Sequence, residues 1–335
     1  MDVALSLVVM LLLILVAAEV FTNALEHLGE RLGISEGVTG SLFAAVGTAM
    51  PESIVPVVAL LAGGENPDVN AEIGVGAILG APLMLSTLSL SLMGLSVVRK
   101  RGLRGRLRPE RTGLERDLAF FLIAFGIALV ALFIPAPLGW LRAVFAAMLI
   151  LTYFVYALLT LRVSAKLVEE GHATQAHRKM YLHRFGMPDN MAIVIFQILF
   201  GLVLLVGGAK GFVHGVKEAS ELIGVSPLLL SLLLIPIATE LPEKVNSILW
   251  IRRDKDTLAF GNITGAMVFQ GSILPVIGLM MTPWRSTPEV LVGVLVTYGA
   301  ALWLYWHARR GGGLRIWHLC VNGLLYVVYF LVMVG

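Results

Sequence analysis

Long apolar runs are the feature that most constrains this chain. A helix that crosses a bilayer needs about 20 mostly apolar residues, and ten segments approach or exceed that length. Only 14% of the 335 residues are charged, whereas soluble domains carry about 25%. The segments lack the residue-by-residue alternation of a membrane β-barrel. We therefore predict an all-α integral membrane protein with ten transmembrane helices, at 3–25, 37–63, 73–98, 118–141, 143–161, 190–209, 222–251, 257–284, 290–308 and 316–335.

The charges of the intervening loops predict how these helices are oriented. Of the 25 Lys and Arg residues, 19 lie in alternate loops, whereas loop 63–72 carries only acidic charges. Cytoplasmic loops of membrane proteins are enriched in Lys and Arg, so we expect these loops in the cytoplasm and both termini outside, in the plasma (inner) membrane. This topology explains the net charge of +3 without a nucleic-acid partner. The basic loops are 99–117, 162–189, 252–256 and 309–315.

The chain contains an internal repeat with a constant offset of 191 residues. We assign a first repeat to 1–162, a cytoplasmic basic loop to 163–189 and a second repeat to 190–335. Each repeat holds five spans, and because five is odd the second repeat enters the membrane from the opposite side. Such inverted repeats are typical of secondary transporters. The matched residues are Gly33 and Gly224, Ser35 and Ser226, Thr48 and Thr239, Pro51 and Pro242, and Glu52 and Glu243.

The repeat places a Pro-Glu pair inside an apolar segment of each half. Proline removes a backbone donor and frees the carbonyl four residues earlier. A charge within a span costs at least ~2.5–3.5 kcal/mol, so intramembrane acids usually have a function. Glu52 and Glu243, with freed carbonyls and the hydroxyls of Thr48 and Thr239, predict an oxygen-lined site for a hard cation such as Ca²⁺ or Mg²⁺.

These motifs resemble those of the cation/calcium exchanger superfamily, which includes sodium/calcium and proton/calcium exchangers. The family motif G-[TS]-S-x-P-E corresponds to GTAMPE at 47–52 and ATELPE at 238–243. Its second motif, G-N-x-x-G-S, corresponds to GAILGA at 76–81 and GNITGA at 261–266. The resemblance covers nearly the whole chain.

The resemblance implies an antiporter with a central site built from helices two, three, seven and eight. Long first and sixth helices would slide against that core and alternate access between the two sides. Glu52 and Glu243 would be the main cation ligands, and Thr48 and Thr239 match the threonine ligands of the family.

Several positions depart from the family pattern. Family oxygen ligands are replaced by Ala49, Ala81, Leu85 and Ala266, and Gln270 stands where sodium/calcium exchangers have Asp. An additional carboxylate, Glu240, stands where the family has Ser, and it either binds the ion or pairs with Lys244. Because Na⁺ needs several neutral oxygens and a proton needs only a carboxylate, we predict that exchange depends on pH more than on Na⁺.

Two further charges lie in equivalent spans. Glu19 and Lys210 are 191 residues apart, and they are read either as gating charges that line the ion path or as structural charges. In the latter case the two form an ion pair or extend to the membrane interface. Asn262 and Thr264 are expected to bond to neighbouring helices, and Cys320 to pack as a small apolar residue.

The predicted function is secondary antiport of a cation by alternating access. The transported ion is a divalent cation such as Ca²⁺, exchanged against Na⁺ or H⁺, and the bilayer and inorganic cations are the only partners expected. No organic cofactor is expected. The alternatives are a cation channel or an exchanger-fold protein with another substrate. An enzyme is not predicted, because the histidines near spans lack catalytic or metal-site spacing: His27, His214, His307 and His318.

Overall fold

The chain is helical almost throughout the part that the structure, a computed structural model, describes. That part comprises residues 3–31, 50–61, 67–169, 179–184, 186–310 and 313–334. The helices are α1 (Val3–Arg31), α2 (Met50–Leu61), α3 (Pro67–Met84), α4 (Leu90–Leu95), α5 (Val98–Arg101), α6 (Arg111–Ala131), α7 (Gly139–Glu169), α8 (Tyr181–Arg184), α9 (Met191–Ile223), α10 (Pro227–Thr239), α11 (Leu241–Arg252), α12 (Asp256–Met281), α13 (Pro288–Arg309) and α14 (Ile316–Val334). Two short antiparallel strands, β1 (Arg106–Leu107) and β2 (Leu314–Arg315), pair with each other.

Seven helical spans in the described residues are long and apolar enough to cross a membrane. They match seven of the ten predicted spans and confirm an all-helical membrane architecture. The other three predicted spans correspond to shorter or more polar helices. Four charges near the start of α6 leave only 118–131 of that helix free of charge, α2 is the described end of 37–63, and a break divides 222–251 into α10 and α11. The count of ten therefore stays a prediction.

Helices α1 and α9 pack closely along their lengths. A stripe of glycines on α9 faces α1, and a Cβ atom built on Gly208 would lie 2.9 Å from the Ile14 side chain. Residue numbers on one helix rise as those on the other fall, so the two helices are antiparallel. Small residues allow this close approach in a membrane. The contacts are Gly201 to Phe21, Gly208 to Ile14, Gly211 to Met10 and Gly215 to Leu7.

The first Gly-x-x-x-Gly motif brings α3 and α10 into backbone contact. A Cβ atom on Gly76 would lie 1.9 Å from Ser231 Oγ, and one on Gly80 would lie 2.3 Å from Leu232 O. Neither position has room for a side chain, because backbone atoms stand in the way. This contact joins a helix of the first repeat to the helix that precedes Glu240 in the second.

Helix α3 passes into α4 through a π-helical turn at Leu85–Ser89. Asn322 of α14 donates its Nδ2 hydrogens to Ser86 O at 2.7 Å and to Ala300 O at 3.2 Å. Such turns inside helices often mark functional sites. No sequence motif marks this turn, because its residues are leucines and small polar residues that an ordinary helix also accommodates.

Polar contacts gather the predicted basic loops at one end of the molecule. Arg101 donates to Asp254 Oδ1 and Asp256 Oδ1, each at 2.8 Å, and the strand pair joins loop 99–117 to loop 309–315. Hydrogen bonding to Asp256 raises the pKa of Arg101. Lys100 and then Arg101, through hydrogen bonds, lower the pKa of Asp254.

A second set of contacts joins the connection between α6 and α7 to the connection between α12 and α13. Arg142 donates to Thr282 O at 3.1 Å and to Ile134 O at 3.4 Å, and it also bonds to Pro283 O. The side of the membrane that each set of loops faces stays a prediction.

The apolar interior includes a large cluster around α3, α6 and α12, in which Phe121 and Phe125 stack with ring centroids 5.2 Å apart. Cys320 is partly buried and packs against this cluster, as the sequence analysis expected.

Candidate cation-binding site

A helix break forms the second-repeat half of the candidate site. Helix α10 ends at Thr239 and α11 begins at Leu241, and Glu240 stands between them with φ −87° and ψ 11°. Pro236 lies within α10, and a proline opens α11. Prolines at these places interrupt the helical hydrogen bonds. The break leaves Glu243 in the first turn of α11.

The matching acid of the first half lies in helix α2. The described part of α2 starts at Met50, which is 191 residues before Leu241, and Glu52 lies two residues further on. Helix α2 contacts α3, α10 and α12. Glu52 and Glu243 thus occupy equivalent places in the chain, and Glu243 lies at a helix N-terminus, where the helix dipole favours negative charge.

Three carboxylates share the buried centre, and we call Glu52, Glu240 and Glu243 the acidic cluster. Their exposed fractions are 2%, 0% and 0%. The charge on Glu52 interacts electrostatically with those of Glu243 and Glu240. Neither carboxylate oxygen of Glu52 has a hydrogen-bond partner among the described residues. Burial of an unsatisfied carboxylate is costly, which makes Glu52 a candidate ligand.

Lys244 is the buried cation beside the cluster. Its Nζ lies 3.8 Å from Glu240 Oε2 and donates to Pro236 O at 3.0 Å and to Ile237 O at 3.5 Å. The pairing that the sequence left open is therefore present. Glu240 at the same time belongs to the acidic cluster, because its charge interacts with that of Glu243.

Gln270 of α12 lies next to Glu240. Its side chain is fully buried, and neither amide atom makes a hydrogen bond of ordinary length with a described residue. Thr239 is also buried, and its hydroxyl donates to Ile235 O at 3.1 Å. The predicted ligand Thr48 lies outside the described residues.

The cluster is not a closed metal cage in this conformation. Among the described residues, no three His, Cys, Asp or Glu side chains converge closely enough to hold a metal ion. The acids are near enough for their charges to interact, but a shared ion would need further oxygens or a closer approach of α2 and α11.

Polar residues of α12 fix the surroundings of the site. Asn262 Nδ2 donates to Glu243 O at 3.1 Å and to Ser247 Oγ at 3.0 Å, which ties α12 to the start of α11. Thr264 Oγ1 donates to Asp117 Oδ2 of α6 at 2.8 Å. The expectation that these two residues bond to neighbouring helices is confirmed.

The candidate gating charges lie outside this cluster. Glu19 accepts a hydrogen bond from Tyr181 OH at 2.7 Å, and both Glu19 and Lys210 are exposed. Because α1 and α9 are antiparallel, Lys210 of α9 lies opposite a position of α1 that is about seven residues before Glu19. The two residues are therefore separated by ~10 Å along the helix axis, which is too far for a direct ion pair.

Two features of the site could not be read from sequence. The carbonyl contacts of Lys244 depend on the geometry of the break, although its i, i+4 spacing from Glu240 was a signal for the pairing. Tyr326 of α14 lies within electrostatic range of Glu240, and no motif points to it.

Comparison with known proteins decides the family. The family model described as "Sodium/calcium exchanger protein" matches residues 3–162 and 193–335. The chain belongs to this family. Members of the sodium/calcium exchanger family are transporters, and the chain is accordingly a membrane cation antiporter rather than an enzyme.

One relative and two solved structures illustrate the likeness. The inner membrane protein YrbG of Escherichia coli (strain K12) is 24% identical over 336 residues, covering 90% of this chain and 96% of that protein. The structure of the H⁺/Ca²⁺ exchanger CAX has a TM-score of 0.73 at 16% identity, covering 99% of this chain and 82% of that one. The sodium-calcium exchanger NCX_Mj has a TM-score of 0.60 at 18% identity, covering 98% and 97%. At these identities the two structures show a common fold.

Proposed function

We propose that the chain exchanges a divalent cation, Ca²⁺ or a similar hard ion, against monovalent cations by alternating access, without an organic cofactor. The observation that carries this proposal is the pairing of Glu52 and Glu243, two buried acids at equivalent positions 191 residues apart whose charges interact. Two carboxylates match the charge of one divalent cation. Gln270, Thr239, Thr48 and Glu240 would supply further oxygens.

The architecture proposed with this function is ten spans in two inverted five-helix repeats, 1–162 and 190–335, joined by the loop 163–189. Two observations support it. The equivalent acids Glu52 and Glu243 are both buried, and the equivalent helices α1 and α9 are antiparallel. The basic loops would be cytoplasmic and the termini outside, in a plasma or inner membrane. The name of YrbG, an inner membrane protein, agrees with that location.

Protons are the favoured counter-ion over Na⁺. Neutral oxygen ligands of the family motif are replaced by alanine or leucine, which leaves few ligands for a dehydrated Na⁺ besides backbone carbonyls. Carboxylates that are buried together can hold protons instead. Glu19 and Lys210 would act away from this site, at the surface of the mobile helices α1 and α9.

Reconstituted liposomes test the proposal. Uptake of Ca²⁺, Mn²⁺ and Mg²⁺ is measured under an imposed pH gradient, under an imposed Na⁺ gradient and with neither. We expect divalent uptake driven by the pH gradient. Uptake driven by the Na⁺ gradient alone would mean that Na⁺, and not H⁺, is the counter-ion. Uptake that needs no counter-gradient would mean that the protein is a channel and not an antiporter.

A further inference from the structure

Lys244 is held in the manner of a bound cation. The ammonium group is a donor without acceptor capacity, and here it faces one carboxylate and two backbone carbonyls, those of Glu240, Pro236 and Ile237. Carboxylate and carbonyl oxygens are also what a small monovalent cation would bind. The side chain is only 6% exposed, so water does not take their place.

The pair has no counterpart in the first repeat. The residues 191 positions before Glu240 and Lys244 are Ala49 and Ser53, both neutral. The second repeat thus carries one extra acid and one extra base together. The extra charges sum to zero, which is the pattern expected if the base balances the acid.

The buried centre therefore has a definite charge when its acids are ionised. The charge on Lys244 interacts with those of Glu240, Glu243 and Glu52. With Glu240 balanced by Lys244, Glu52 and Glu243 leave a charge of −2, which one divalent cation neutralises. Without Lys244 the same centre would carry −3. The other buried side chains named beside it, Gln270 and Tyr326, are neutral.

We propose that Lys244 is a tethered substitute for one monovalent cation and thereby sets the coupling of exchange at one divalent cation to two monovalent cations. This inference rests on the proposed function. Buried uncompensated charge is costly, so both loaded forms of the carrier cross the membrane most readily when neutral. The divalent form and the form with two monovalent cations then have the same charge, and exchange is electroneutral.

Equilibrium binding separates this role from a structural one. Binding of the transported divalent cation to purified protein is measured by calorimetry for the wild type, Lys244→Gln, Glu240→Gln and the double variant, with melting temperatures as a folding control. Removing a cation next to the site should tighten binding by about tenfold or more in Lys244→Gln, and Glu240→Gln should weaken it by a similar factor. Because the two charge changes cancel, the double variant should bind more weakly than Lys244→Gln and more tightly than Glu240→Gln. Weaker binding in Lys244→Gln would mean a structural role and overturn the proposal.

The coupling number is the second readout. In liposomes, the pH gradient at which net divalent flux stops against a fixed divalent gradient gives the number of monovalent cations exchanged per divalent cation. Flux measured at clamped membrane potentials shows whether exchange moves net charge. We expect two in the wild type, with no response to potential, and a number shifted toward three in Lys244→Gln. A coupling number of two in Lys244→Gln would overturn the proposal. A wild type that neither binds nor moves divalent cations would instead refute the proposed function, and this inference with it.

Discussion

At the residue scale, the site combines positions that the sequence motifs predicted with contacts that they did not. Glu52 and Glu243 were predicted from the motif and repeat, because their place next to Pro51 and Pro242 is a matter of sequence, and Gln270 was predicted from its place four residues after Ala266. The position of the Lys244 side chain was not, because its direction depends on the kink at Glu240. A periodicity argument assumes a regular helix, and this helix is broken.

Gln270 gives a prediction at this scale. Because neither amide atom makes a hydrogen bond of ordinary length with a described residue, Gln270→Leu removes only its contact with Glu240 and should change the melting temperature little. If the amide is a cation ligand, divalent affinity should fall about tenfold, or ~1.4 kcal/mol. Calorimetry and thermal unfolding of the same preparation measure both effects.

Asn322→Leu is the matched control. Asn322 is equally buried, but its amide bonds to two carbonyls, so its loss should destabilise the protein by about 1–3 kcal/mol. Should Gln270→Leu destabilise the protein as Asn322→Leu does and leave affinity intact, Gln270 is a structural residue and not a ligand.

At the element scale, helix packing explains the fold where composition could not. The apolar runs predicted where helices lie, but only the glycine contacts show that α1 is antiparallel to α9 and that α3 touches α10 backbone to backbone. Gly-x-x-x-Gly is compatible with several helix partners. The motif therefore indicates close helix packing but does not identify the partner helix.

Neighbouring glycines of α9 test the α1–α9 contact. Gly208 faces Ile14 and has no room for a side chain, whereas a Cβ on Gly207 would meet nothing within 4 Å. Gly208→Leu should destabilise the protein by about 1–3 kcal/mol through overpacking and reduce flux, because it wedges apart helices that must slide. Thermal unfolding and liposome flux are measured.

Gly207→Leu is the control on the same helix, and it should keep both properties close to those of the wild type. Equal effects of the two substitutions would mean that the described face of α9 is not the one packed against α1.

At the scale of the whole molecule, polar contacts show which loops meet. The strand pair and the Arg101 contacts join three basic loops, and Arg142 joins the α6–α7 and α12–α13 connections. Ten spans also require segments that sequence hydropathy alone ranks poorly, such as α6 with its four charges. Their role depends on burial against other helices and not on composition.

Cysteine labelling tests the orientation. In a Cys320→Ser background, cysteines are placed at the exposed positions Arg104, in the basic loop 99–117, and Ala136, in the connection between α6 and α7. The two connections are predicted to lie on opposite sides of the membrane. In intact cells a membrane-impermeant maleimide should label the cysteine at Ala136 and not the one at Arg104. The reverse pattern would invert the topology, and labelling of both or of neither would contradict the alternation.

The most direct test of the central claim, that Glu52 and Glu243 together bind one divalent cation, is gradient-driven divalent flux in liposomes. We compare the wild type with Glu52→Gln, Glu243→Gln and the control Glu218→Gln, whose carboxylate lies on the outer face of α9 beside His214. Loss of one buried counter-charge should cost ~3 kcal/mol or more and reduce flux at least about a hundredfold in each of the first two variants. Glu218→Gln should behave as the wild type does. Folded Glu52→Gln or Glu243→Gln protein that exchanges at the wild-type rate would contradict the account.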